Sequence, residues 1–444
     1  MPETLTLDSL QKAVSGSAAA FRCRTTLQPA GGVGDKVFPP TYSGAVYATE
    51  KRRLPKRDEP VECVQLDSVQ SQANRMEEAL QAAIDEGRLI IPVIEVDFSG
   101  NNLPAEIGKV TSLQAPHRIA DAILRDSLLD GTPFRQSDLG KRIDAVNLAN
   151  ATPLYELCPT GLVFGIWDST GPKGGLGAKF QRAMVSEIVG IDAVYGVKTS
   201  SRIDPLGVPK NAGPLYRTSN GGWTLNPAQA IEELDKQQKP TGRKVLYQQV
   251  KGKDVYYHPE KDADKLPDAG RPSTANHGNV VPSLSPIDRD SGRYLAGGVT
   301  VASAEQMVVL SLPALRRLKF PLNGNPDPRK INEAGRVVLA ALGLCAAALA
   351  AERGFDLRSR CLLWPSEPLK WELLDKPGKT PMQFQLEADA AITLLNEAVE
   401  AAEGVGLVWR KQPLGLKASP QLVELLRKSQ QLTAAQGSEE EGGG

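Results

Sequence analysis

The chain has 444 residues, 41% of them apolar, a length that suits roughly two to three domains around a sizeable core. Lys plus Arg and Asp plus Glu each number 52, so the neutral whole argues against a generic polyanion coat but allows a local basic groove. Five scattered cysteines without a C-x-x-C pair, and three histidines, argue against a zinc site and fit a reducing, cytoplasmic setting.

The 41 glycines and 33 prolines exceed average usage and predict long loops inserted into a compact core. The first residues, MPETLTLDSL, carry Glu3 and Asp8 and no apolar stretch, so no signal peptide is expected. Residues 19–28, AAFRCRTTLQ, alternate: Phe21, Cys23, Thr25 and Leu27 point one way, Arg22, Arg24 and Thr26 the other. The two arginines fit either a solvated strand face or a nucleic-acid surface. The basic cluster KRRLPKR at 51–57 reads as a hairpin tip.

A strand at 61–68 runs into a helix at 69–84 that buries Met76, Leu80, Ala83 and Ile84. Its first turn offers Gln70, Ser71, Gln72, Asn74 and Arg75. Such groups at a helix start suit phosphate and sugar contacts. Ordinary capping by Ser68 or Ser71 accounts for one serine and not for the whole polar set. A strand follows at 89–96, and a helix is expected at 116–129 with His117, Arg118, Arg125 and Asp126. The histidine beside an arginine is read first as structural.

Residues 160–193 carry the clearest pattern. An apolar strand-like run at 162–167 with a core Trp167 meets a turn cluster at 168–177, and helical periodicity is expected from Phe180 through Met184, Val185 and Ile188. Glycines let a backbone approach an anion, and Lys173, Gly174, Gly175, Lys179 and Arg182 lie in or beside this loop. The stretch lacks both G-x-x-x-x-G-K-[ST] and G-x-G-x-x-G, so a mononucleotide pocket is not indicated. A loop gripping the phosphates of a polymer and a plain surface turn both remain open. Asp168 ends the strand, but Asp-Ser-Thr-Gly is also a turn sequence.

Residues 196–298 form a Gly-, Pro-, Asn- and Lys-rich insertion with a hairpin at 244–257 and the segment GRPSTANHGNVVPS, containing Asn276, His277 and Asn279. Structure resumes at 298–312, followed by 314–320 with Arg316, Arg317 and Lys319. The alanine-rich helix at 332–353 contains a 15-residue apolar run, short of the ~20 that span a bilayer, so no membrane partner is expected. A strand at 359–364, helices at 381–402 and 420–431 and a disordered tail complete the chain. No metal site or cofactor is indicated, and the aromatic RNP signature is absent.

The segments VQLDSVQSQANRMEEAL, HRIADAILRDS, FGIWDSTGPKGGLGAKFQRAMVSEIVG, NHGNVVPS and LSLPALRRLKFP resemble the backbone subunit, of Cas-seven type in the RAMP superfamily, of type I-G (formerly I-U) CRISPR Cascade. The resemblance spans roughly residues 21 to 320. It implies an α+β fold: a modified RRM-like (ferredoxin-like) palm built from 1–100, 160–195 and 299–360, a finger-like insertion at 101–159 and a thumb-like one at 196–298. A helical C-terminal region at 361–436 and a disordered tail at 437–444 would follow.

The function it implies is non-catalytic. Copies of the chain would stack along one CRISPR RNA and present it for pairing with target DNA, beside a Cas-five/Cas-six type subunit and the large subunit. The implied RNA-binding residues are Gln70, Ser71, Gln72, Asn74, Arg75, His117, Arg118, Lys173, Gly174, Gly175, Lys179 and Arg182. Arg22, Arg24, Asn276, His277, Asn279, Arg316 and Arg317 are further candidates. Type III relatives cut RNA with an acidic loop residue, so a metal-dependent ribonuclease using Asp168 is the alternative.

Overall fold

Alternation of apolar and polar side chains builds the strand at the centre of the larger unit. Phe21, Cys23, Thr25 and Leu27 are buried along Ala20–Pro29, while Arg24 and Thr26 are exposed, as the period of two requires. The computed structural model describes residues 3–55, 57–168, 179–263, 265–322 and 327–441, with side chains to 433. It divides into two units, Met1–Gly196 with Ala296–Glu424, and Val197–Leu295 with Leu425–Gly444.

The larger unit holds a ten-stranded sheet. Its strands are β1 (Glu3–Thr4), β2 (Ala20–Pro29), β3 (Thr49–Arg52), β4 (Val61–Asp67), β5 (Met184–Ile191), β6 (Ser303–Ser311), β7 (Phe355–Asp356), β8 (Leu362–Pro365), β9 (Trp371–Leu374) and β10 (Met382–Gln385). Their order is β1-β10-β9-β2-β6-β5-β4-β3, with β8 also pairing with β2 and β7 with β8. β6 lies antiparallel between β2 and β5, so those two run parallel to each other. The four longest helices confined to this unit are α1 (Leu7–Ser15), α2 (Val69–Asp85), α3 (Pro328–Glu352) and α4 (Ala388–Glu403). α3 packs against the other three, and α2 also packs on β5. In chain order the framework is β2-α2-β5-β6-α3-β9, and in space β9-β2-β6-β5. Mixed helices and sheets of this kind make the protein α+β, as expected.

Several elements differ from the sequence reading. Met184–Ile191 is a strand, not a helix. Phe180, Met184 and Ile188 are spaced by four, which satisfies both the helical period and the strand period. The polar Ser186 hides the alternation, because it is buried and hydrogen-bonded rather than exposed. Residues 160–164 form a short helix, and the strand is only Ile166–Trp167. Trp167, expected in the core, is 66% exposed. The helix expected at 116–129 breaks into a 3-10 turn at Arg118–Ala120, one α-turn at Ala122–Arg125 and a strand at Ser127–Leu129. Asp121 causes the break by accepting from the Ile123 amide, in an extended N-cap conformation. The strand at 89–96 narrows to Ile94–Asp97, which pairs in parallel with Leu414–Ala418 in a five-stranded sheet. β10 replaces the first turn of the helix expected at 381–402.

α3 is 25 residues long and apolar enough by length and composition to cross a membrane, but 78% of its most apolar window is buried inside the protein. Its small alanines let α2 and α4 approach closely. The smaller unit has its own core of Tyr216, Leu246, Tyr257 and Ala269. The hairpin expected at 244–257 is present there, with Lys244 paired to Tyr257.

All five cysteines are buried thiols. Burial pushes Cys345 up to about 12 and Cys361 to about 11. Alkylation requires thiolate. Native protein at pH 8 is therefore expected to resist iodoacetamide, whereas the denatured chain takes up five adducts by mass. Rapid labelling of native protein would contradict this packing.

Candidate nucleic-acid interface

β4 delivers Asp67 to the start of α2, and Ser68 caps that helix by accepting from the Ser71 amide at 3.2 Å. Helical geometry then divides the polar first turn between two faces. Ser71, Gln72 and Arg75 turn inward onto Asp67. Its Oδ1 accepts from the Ser71 hydroxyl at 2.8 Å and from Arg358 at 3.1 Å, and its Oδ2 accepts from Gln72 at 2.7 Å and from Arg75 at 2.9 Å. The Gln72 carbonyl oxygen in turn accepts from Ser186 on β5 and Gln306 on β6. Buried polar groups need partners, and here four of them, Asp67, Gln72, Ser186 and Gln306, are satisfied within one network between α2 and the sheet. Gln70 and Asn74, one helical turn apart, face the other way.

That other face lines an open groove of about 830 Å³. Its second wall is the segment around His117 and Arg118. Arg118 adopts φ 53° and is buried. It forms a bidentate pair with Glu77 of α2, both bonds 2.7 Å, donates to the Gly165 carbonyl at 3.2 Å and lies over the Phe164 ring. One side chain thus ties together three walls of the groove. Burial raises the Glu77 carboxyl above its ordinary value, and Arg118 opposes that rise. His117 is exposed beside it.

The third wall is the pair of short strands Ile166–Trp167 and Lys179–Phe180, with Trp167 opposite Lys179. Alternation sends Ile166 and Phe180 inward and Trp167 and Lys179 outward. Gln181 and Arg182 follow, both exposed. Neither Lys179 nor Arg182 has a hydrogen bond or ion pair from its side chain among the described residues. The groove continues past Lys179 and Gln181 into a recess of about 220 Å³ that ends at Arg317, which donates to the Gln181 side chain at 2.7 Å.

The structure therefore brings Gln70, Asn74, His117, Arg118, Lys179 and Arg182 to one groove, with Arg317 at its extension. Other candidates have different surroundings. Ser71, Gln72 and Arg75 are held by Asp67. Arg22 pairs with Glu372 and Arg24 with Glu305, each at 2.8 Å, on the sheet face away from α2. Arg316 donates to the carbonyls of Ala13, Val14 and Ala18, closing the C-terminal end of α1. Asn276, His277 and Asn279 belong to the smaller unit. Asn276 takes φ 55° after a 3-10 turn, His277 lies edge-on to Trp223, and Asn279 accepts from the Asp204 amide at 2.7 Å. Lys173, Gly174 and Gly175 fall outside the described residues.

Asp168 is buried, lines the groove and accepts from Arg135 at 2.6 Å, a guanidinium that also pairs with Asp144. Burial, then the Asp168 charge, push the Asp144 carboxyl up, against the pull of Arg135. Among the described residues no cluster of three or more His, Cys, Asp or Glu side chains is arranged to hold a metal ion. Sequence reasoning missed Trp167, Gln181 and Arg125 as groove residues. The signal for Trp167 was the two-residue alternation with Ile166.

Fold and groove together define an α+β protein with an open, cation-bearing channel in its larger unit. Residues 21–195 match the family model described as CRISPR-associated protein GSU0053. The match covers less than half of the chain and indicates a CRISPR-associated protein family. Every residue lining the groove lies inside the matched stretch. No curated protein matches the chain.

Proposed function

We propose that the chain is a non-catalytic CRISPR RNA-binding backbone subunit of a type I effector complex. It stacks with copies of itself along the guide and presents the guide to target DNA. The observation that carries this reading is the groove. Amide, imidazole and cationic side chains from three separate segments converge there, Lys179 and Arg182 among them without an ion-pair partner among the described residues, the set that holds sugar-phosphate backbone. The match to a CRISPR-associated family over those same residues supports it. The β2-α2-β5-β6-α3-β9 connectivity, with spatial order β9-β2-β6-β5, supports an RRM-like palm, since it follows the split βαβ pattern. Asp168, which a metal-dependent ribonuclease would use, is engaged by Arg135.

Co-expression with a CRISPR array and the partner subunits is expected to yield a complex carrying RNA of regular length. The 260/280 nm absorbance ratio and native mass report it. Recovery of an RNA-free monomer at low salt would refute the proposal.

A further inference from the structure

We propose that Trp167 is a stacking platform for one unpaired nucleobase of the strand held in the groove. The inference rests on the RNA-binding reading above and adds what that reading leaves open, namely how a base is treated there. A tryptophan at the end of an apolar run ordinarily goes inside. Here the chain turns at Gly165, φ 86°, and sets Ile166 into the core and the indole outward, 66% exposed. The strand partner across from it is Lys179, and Arg182 follows three residues on. An exposed indole face beside two cations with no partner among the described residues suits a base stacked on the ring with its phosphates held by Lys179 and Arg182. The charge balance points the same way. Of the four cationic side chains in the described groove lining, Arg118 is paired with Glu77 and Arg125 with Asp126, which leaves Lys179 and Arg182, and the one lining carboxylate, Asp168, is buried and paired with Arg135. An apolar peptide would cover the indole but leave Lys179 and Arg182 without counter-charge, so a single nucleic-acid strand is the better occupant.

Aromatic stacking of a base is worth enough to change affinity from about five-fold to about a hundred-fold, with little dependence on which base is used. A duplex keeps its bases paired and does not gain this contact. The test uses the full chain with three fluorescein-labelled ligands of equal length: a single-stranded RNA, an abasic strand and an RNA duplex. Trp167→Ala is expected to weaken single-strand binding roughly ten-fold or more and to leave abasic-strand and duplex binding unchanged. Trp167→Phe retains most of the single-strand affinity. Equal single-strand affinity in Trp167→Ala and the native chain would overturn the inference, as would equal losses on all three ligands. The paired control is Lys179→Glu/Arg182→Glu. If that variant loses RNA while Trp167→Ala does not, the groove reading stands and the stacking falls. If neither loses RNA, both fall. Because Trp167 is exposed, circular dichroism should be unchanged in its variants, which separates loss of binding from loss of fold.

Discussion

Asp67→Ala is expected to destabilise the larger unit by about 3–5 kcal/mol, the cost of breaking a buried charge network from one side. The carboxylate is fully buried, and each of its oxygens accepts two hydrogen bonds. Alanine leaves two guanidiniums, one amide and one hydroxyl facing a vacancy. Arg75 and Arg358 retain bonds to the carbonyls of Leu357 and Leu66 but lose their counter-charge. Four of the five tryptophans, Trp167, Trp364, Trp371 and Trp409, lie in the larger unit, so urea unfolding followed by indole fluorescence reports mainly on it. Asp67→Asn should be damaging as well, because its amide nitrogen would meet donors. An Asp67→Ala variant within about 1 kcal/mol of the native chain would show that the network does not hold α2 to the sheet. The outcome also bears on function. Asp67 holds, through Gln72 and Arg75, the helix whose outer face carries Gln70 and Asn74, so under the proposed function its loss would weaken RNA binding indirectly.

The polar first turn of α2 shows what a sequence can and cannot reveal here. Its location and helical character were legible from a run with clear helical period, and the structure decides the cap, left open between Ser68 and Ser71, in favour of Ser68. Which of its residues face outward was not. Ser71, Gln72 and Arg75 turn onto Asp67 at the end of β4, and the fourth donor, Arg358, lies about 290 residues further along the chain, beyond any local pattern. The same limit applies to Arg118. Its Glu77 partner comes from another element, and only the fold shows that an arginine expected at the RNA is a buried strut. β5 failed for a different reason. A spacing of four obeys two periods at once, and the buried hydroxyl of Ser186 removed the alternation that would have decided between them. β2 was legible because its outward residues, Arg22, Arg24 and Thr26, are all polar, so nothing masked the period of two.

Lys179→Ala/Arg182→Ala is expected to reduce the salt dependence of RNA binding, whereas Arg22→Ala/Arg24→Ala is not. All four residues are basic and were candidates on sequence. The structure separates them by their partners. Arg22 and Arg24 are matched by Glu372 and Glu305 across neighbouring strands, so a phosphate would have to displace a carboxylate from each. Lys179 and Arg182 meet no such competitor among the described residues and lie on the groove wall. Each phosphate neutralised on a single strand contributes about 0.7 to the slope of log affinity against log salt. Removing two such contacts should therefore lower the magnitude of that slope by about 1.4. Stability should change by less than about 0.5 kcal/mol, as exposed substitutions usually do. Charge reversal at the same positions should go further and strip guide RNA from the co-expressed complex, because a carboxylate repels the backbone that the native side chain attracts. The measurement is fluorescence anisotropy over a salt series for the native chain and both double variants. An unchanged slope for Lys179→Ala/Arg182→Ala, or an equal fall for Arg22→Ala/Arg24→Ala, would move the guide out of this groove and onto the open face of the sheet.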